Sequence, residues 1–308
     1  MQTEQSLLRM SLAATVMMAV VGVVVGLIAG SSAIVFDGVY GIIDAVMTAL
    51  ALLVARLIAA SNAADAVGRN LSQRFTFGFW HLEPMVLGLN GTLLTGAAIY
   101  ALLEAIKAIL AGGRLFSFGL AAAYAGAGTV LDLAMAVYVV RANRTIRSAL
   151  VALDARSWGM TAALGAALFV AFLFGYSVQG TRYEWISPYI DPVTLLVICV
   201  VIIPIPLGTV RKALSEILLI TPQDLKDDVD KVARDIVARY GFVSYHAFVA
   251  RVGRGIQVEL NFVVPRDQPP KRLEEWDALR DQIGEAFGND GPNLWLTIVF
   301  TTDPEWAW

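Results

Sequence analysis

The sequence predicts a helical membrane region of six spans followed by a small α+β layer. Three observations carry this. The 308-residue chain has a mean hydropathy of +0.65 and only 16% charged residues, against about 25% in soluble domains. Six segments are apolar over the roughly 20 residues that a spanning helix needs: residues 9–30, 33–59, 80–112, 117–141, 152–177 and 191–215. After residue 217 the composition turns sharply to charged, amphipathic sequence. The expected division is a six-helix transmembrane domain over 1–217 and a second domain over 218–308.

Each element has its own signal. The first apolar stretch, Leu12–Gly30, exceeds the roughly 7–15 residues of a signal-peptide core and is flanked by Glu4 and Arg9, so it reads as a retained helix. Only Gly30-Ser31-Ser32 separates it from the second, which makes the pair a tight hairpin. The third carries Pro84 in its first turns, where proline is tolerated. Basic residues collect in two connections: Arg69 and Arg74, after Arg56, in 60–79, and Arg144 and Arg147, flanked by Arg141 and Arg156, in 142–151. The opposite connections hold only Arg114 and Arg182. Positive residues stay inside, so both basic connections and both termini are expected in the cytoplasm.

In the second domain, TPQDLKDDVDKVARDIVARYG reads as an amphipathic helix with Thr221 as N-cap and Gly241 as stop. VSYHAFVARVG and IQVELNFVVP read as strands around a Gly253-Arg254-Gly255 turn. KRLEEWDALRDQIGEAFG is a second helix and LWLTIVFTTD a third strand. The order α-β-β-α-β points to a ferredoxin-like α+β domain, cytoplasmic because the sixth span ends inside.

Composition excludes several function classes. A net charge of −3 with no basic stripe gives no nucleic-acid signal. The single cysteine, Cys199, lies in an apolar run and reads as a small core residue; no internal disulfide or CxxC metal knuckle exists. Two histidines, His81 and His246, exclude a multi-histidine zinc site. No HExxH, GxSxG or GxxxxGK[ST] occurs, so the chain reads as neither an enzyme nor an ATP-driven pump.

What remains is acids in apolar helices. Asp37 and Asp44 lie within IVFDGVYGIIDAVMTALALLVA (34–55), and Asp154 opens ALDARSWGMTAALGAALFVAFLFG (152–175). A carboxylate there is costly unless compensated, which makes each one a functional candidate. Seven residues turn a helix through about 700°, so Asp37 and Asp44 share a face about 10 Å apart, with Tyr40 between them. That is too far to grip one ion directly. The two acids serve either as successive stations or as one proton site and one metal site. Ser157 and Thr161 follow Asp154 at helical spacing and offer hydroxyl oxygens. His81 and Glu83 open the third span beside Trp80, either as interfacial anchors or as a charge and proton acceptor at the cytoplasmic mouth. Glu104 pairs with Lys107 one turn along. Asp132 lacks a local partner and is a candidate for the proton path, whereas Asn90 reads as interhelical hydrogen-bond glue.

Six spans with both ends inside, followed by α-β-β-α-β, resemble the cation diffusion facilitator family of metal/proton antiporters. The most specific elements are SSAIVFDGVYGIIDAVMTALALLVAR, FTFGFWHLEP (75–84), LDARSWGM and VSYHAFVARVG. The resemblance implies a homodimer with paired cytoplasmic domains. It also implies a metal held between the second and fifth helices by one His/Asp-xxx-Asp pair from each. Asp44 matches the second acid of the first pair, and Asp154 the first ligand of the second. Their partner positions carry Tyr40 and Trp158, and an indole cannot ligate a cation. Asp37 is an addition. The metal set expected from the resemblance is Asp44 and Asp154, extended by Asp37 and Tyr40. Of the family's cytoplasmic metal cluster only His246 and Asp303 remain, with Asn261 where a histidine is common, so that domain is expected to serve dimerisation.

The expected function is export of a divalent transition-metal cation by proton antiport. Oxygen ligands favour Mn²⁺ and Fe²⁺, while the resemblance favours Zn²⁺, Co²⁺ and Cd²⁺. No cofactor is required beyond the transported cation. The partners are the lipid bilayer, a second copy, metal ions and protons, and the expected location is the cell inner (plasma) membrane. Two other readings compete: a membrane-tethered metal sensor, and a degenerate family member that does not transport metal.

Overall fold

The computed structural model describes residues 4–61, 75, 78–146, 149–288 and 293–308. Arg69, Arg74 and Arg147, which the orientation argument uses, lie outside the described residues. Seven helices among the described residues build the apolar part: α1 Glu4–Ala29, α2 Ser32–Ser61, α3 Leu82–Leu110, α4 Phe118–Ile146, α5 Ala149–Val178, α6 Ser187–Ile202 and α7 Pro204–Ile217. Among the described residues, six stretches are long and apolar enough to cross a membrane, the last running from Glu184 to Ile217 across α6 and α7.

Two boundaries differ from the sequence reading. The sixth span is not one helix. It breaks at Ile203 because Pro204 and Pro206 each remove a backbone donor that a continuous helix needs. The 142–151 connection is largely helical, with α4 running to Ile146 and α5 starting at Ala149.

The chain forms two compact units, residues 1–50 with 89–209 and residues 51–88 with 210–308. The core of the first is built from small side chains: Ala33 of α2, Ala98, Ala101 and Ala105 of α3, and Ala121, Ala122 and Ala125 of α4. Ile34, Phe36, Leu168, Phe172, Leu195, Ile202 and the fully buried Cys199 complete it. Small residues let membrane helices approach closely, where dispersion rather than the hydrophobic effect holds them. Large side chains such as Leu27, Ile28, Val130 and Val170 point outward, as a lipid-facing surface requires.

The turn between α1 and α2 is fastened from a distance. Gly30 takes φ 74 to reverse the chain. The first amides of α2 have no intrahelical acceptor, and Asp191 of α6, fully buried, supplies it. Its carboxylate accepts from Ser32 N at 2.9 Å, Ala33 N at 3.3 Å and Ser31 Oγ at 2.5 Å. The Arg114 guanidinium donates to Ser32 Oγ.

The second unit holds α8 Gln223–Tyr240, β1 Ser244–Val252, β2 Gly255–Val263, α9 Leu273–Ala286 and β3 Leu294–Thr301. The sheet order is β1-β2-β3, with β2 antiparallel to β1 and parallel to β3 through the α9 crossover. Val229, Ile236, Val258, Leu260, Phe262 and Ile283 form its core. Thr221 is not the cap of α8. The helix starts one residue later, with extended Pro222 in the N-cap position and no side-chain cap; a residue before proline is itself pushed to extended backbone. Gly241 does end the helix, at φ 67.

The β1–β2 hairpin closes on two residues, Gly253 (φ 60) and Arg254, the glycine-first pattern of a II′ turn. This tip is gripped by carboxylates within its own unit. Glu83 accepts from Arg254 N at 3.2 Å and Nε at 3.0 Å, and Glu216 accepts from Gly253 N at 3.0 Å. A methyl group at Gly255 would stand 2.3 Å from the Trp80 ring, so only glycine admits the indole there.

Candidate metal site

Within the first unit the buried acids fall into separate groups. On α2, Asp44 is half-buried and receives a side-chain hydrogen bond from Asn90 of α3. Tyr40, one turn earlier, lies within electrostatic range of Asp44 and packs its ring 5.7 Å from Phe36. Asn90 uses its amide N–H on Asp44, which leaves its Oδ1 buried with no hydrogen-bond partner. Asn90 was read from sequence only as interhelical glue. Its place beside Asp44 depends on the register of two helices 46 residues apart, which no local pattern encodes.

On α5, Asp154 is held by α1. Ser11 Oγ donates to Asp154 Oδ1 at 2.8 Å, and Trp158 Nε1 donates to Ser11 Oγ at 2.7 Å. The indole thus acts on the carboxylate through Ser11. So Trp158, standing where the resemblance places a ligand, works as a donor that orients Asp154. Asp154 Oδ2 remains buried without a partner. Ser157 and Thr161 are both exposed, and the Thr161 hydroxyl donates to Ser157 O at 3.1 Å.

A further group joins α2 to α4. Asp37 interacts electrostatically with Asp132, and both act on the Tyr124 hydroxyl. Among the described residues no set of three or more His, Cys, Asp and Glu side chains comes together to hold a metal. A ligand set drawn from the described residues must therefore include hydroxyl, amide or water oxygens.

The remaining candidates are accounted for locally. His81 is exposed, and Glu83 is ion-paired with Arg254 at 3.0 Å. Glu104 pairs with Lys107 at 2.9 Å. His246 faces Asn261 across β1–β2 and stacks 3.9 Å from Trp308. Asn261 donates to Ala307 O at 3.2 Å, and Asp303 accepts from Glu305 N at 3.1 Å to cap the last turn.

An α-helical region with carboxylates inside its spans, among them Asp154 with one oxygen held by Ser11 and the other unpartnered, suits a membrane protein that handles cations. The cation efflux transmembrane domain matches residues 8–218, and the chain belongs to that family, the cation diffusion facilitators. It is a multi-pass membrane protein and a metal cation transporter of the divalent class. No curated protein matches the chain.

Proposed function

We propose that the chain exports a divalent transition-metal cation in exchange for protons, with Asp44 and Asp154 as the carboxylate core of the transport site. The observation that carries this is the pair of unpartnered acceptor oxygens, Asp154 Oδ2 and Asn90 Oδ1, beside the two acids at the family's ligand positions. Buried acceptors normally find a donor; an orphan acceptor next to a carboxylate suits a passing cation. If the Asp44 group, with the Asn90 amide oxygen and the Tyr40 hydroxyl, meets Asp154 around an ion, these oxygens and water form a set of the kind that suits Mn²⁺ or Fe²⁺ and still admits Zn²⁺, Co²⁺ or Cd²⁺.

Ser11 and Trp158 hold Asp154 in one orientation and leave its second oxygen for the ion. Protons compete for the same carboxylates, so protonation releases the metal. The α-β-β-α-β layer over 218–308 is assigned as a ferredoxin-like cytoplasmic domain that pairs two copies, in a plasma-membrane protein with both termini inside. His246 and Asp303 are its metal candidates, and His81 and Glu83 the auxiliary proton groups.

Proteoliposomes loaded with a pH-sensitive dye test this. Wild type should alkalinise the lumen when Mn²⁺, Zn²⁺ or Co²⁺ is added outside, because metal entering drives protons out, and Asp44→Ala and Asp154→Ala should abolish the response while eluting as folded protein. Normal flux in both variants overturns the site. No flux in wild type, with metal-dependent change confined to the 218–308 domain, favours a sensor.

A further inference from the structure

The Asp37–Asp132 group has features that packing does not explain. Asp132 is 3% exposed, and its Oδ1 has no hydrogen-bond partner. The charge that acts on it is another acid, Asp37, and no salt bridge among the described residues reaches either one. Two like charges in an apolar interior with no protein counter-ion are tolerable only with a bound cation or a proton.

The surroundings are oxygen-rich and closely packed. Thr129 donates its proton to Ala125 O at 2.7 Å, which leaves its lone pairs available. The Tyr124 hydroxyl has only a long contact, 3.4 Å, to Met18 O. Opposite them α5 carries Gly165, where a methyl group would stand 2.9 Å from Thr129 Oγ1 and 3.7 Å from Asp132 Oδ2. On α1, a methyl group at Gly22 would stand 2.5 Å from the Tyr124 oxygen. Only glycine at these two positions lets the neighbouring helix come this close to the hydroxyls of Thr129 and Tyr124. Carboxylates with hydroxyls form the oxygen set that hard divalent cations take.

We propose that Asp37 and Asp132 form a second station for the transported divalent cation, distinct from Asp44 and Asp154, with the Tyr124 and Thr129 hydroxyls as neutral ligands. This rests on the reading that the chain moves such a cation. Asp37 lies on the Asp44 face of α2, about 10 Å toward the α1–α2 turn, so the ion passes from one acid to the next along one helix face.

Equilibrium dialysis of the purified full chain against Mn²⁺, with metal counted per protomer, tests it. Wild type should bind two ions. Asp37→Asn and Asp132→Asn should each bind one, and Asp44→Asn/Asp154→Asn should also bind one. Gly165→Ala, which keeps every ligand, should weaken one site about tenfold, close to 1.4 kcal/mol. The proposal is overturned if Asp37→Asn and Asp132→Asn bind as much Mn²⁺ as wild type, even with slower transport; the pair then holds a proton. A wild type that binds one ion, lost in Asp44→Asn/Asp154→Asn, overturns it too. If that double variant keeps both ions, the Asp44–Asp154 site fails while the second station stands.

Discussion

Asp191 and Asp132 are both buried carboxylates in apolar helices, 0% and 3% exposed, yet they do opposite things. Asp191 is compensated in full: two backbone amides and a serine hydroxyl bind it, and Arg114 stands one hydrogen bond away through Ser32. Asp132 keeps an unpartnered oxygen and faces a second acid. Burial alone therefore does not mark a transport residue. What marks it is a compensation that the protein leaves unfinished.

The sharpest way to break this comparison is to remove each acid. Asp191→Ala leaves two α2 amides and Ser31 without their acceptor, and losing a charged acceptor costs about 1.5–3 kcal/mol per bond before relaxation. Its thermal midpoint in detergent should collapse, by about 3 kcal/mol or more of stability. Asp132→Asn orphans no hydrogen-bond donor among the described residues and should change stability by less than about 1 kcal/mol. Equal destabilisation would refute the distinction.

A smaller effect tests the middle case, Asp154, which is half compensated. Ser11→Ala and Trp158→Phe remove its orienting donors but no ligand. Outer partners of this kind carry about 10–100-fold in metal affinity, so both variants should raise the metal concentration needed for half-maximal flux by that order while maximal flux survives. Ser11→Thr, which keeps the hydroxyl, should rescue. A loss of folding instead of affinity would class Asp154 with Asp191.

The smallest effect belongs to Arg254. Its pair with Glu83 is 44% and 28% side-chain exposed, and such pairs contribute at most about 1 kcal/mol. Arg254→Ala should shift the unfolding midpoint only slightly in low salt and not at all in high salt. A large shift would mean that the hairpin tip carries more of the second unit than its ion pair.

Much of this was legible beforehand. Six spans follow from the length of apolar runs, since hydrocarbon thickness sets a minimum that soluble helices rarely meet. The α-β-β-α-β order follows from switches between periods of 3.6 and 2. The break at Ile203 was written in Pro204 and Pro206, but a hydropathy average does not sense a missing backbone donor. Ser157 and Thr161 share helical spacing with Asp154, yet spacing places residues on a stripe without saying what the stripe faces; the structure leaves both exposed.

By itself the sequence determined how many helices cross, where the acids lie along them, and that histidine and cysteine cannot supply the ligands. Those properties depend on composition and on distance along one helix. Only the tertiary structure decided which acids are finished and which are open. Ser11 reaches Asp154 and Trp158 reaches Ser11, Asn90 reaches Asp44, and Asp191 crosses 159 residues to cap α2. Those pairings arise from the register of helices packed through small residues, and an acid's chemistry is set by neighbours distant in the chain rather than by the run of residues around it.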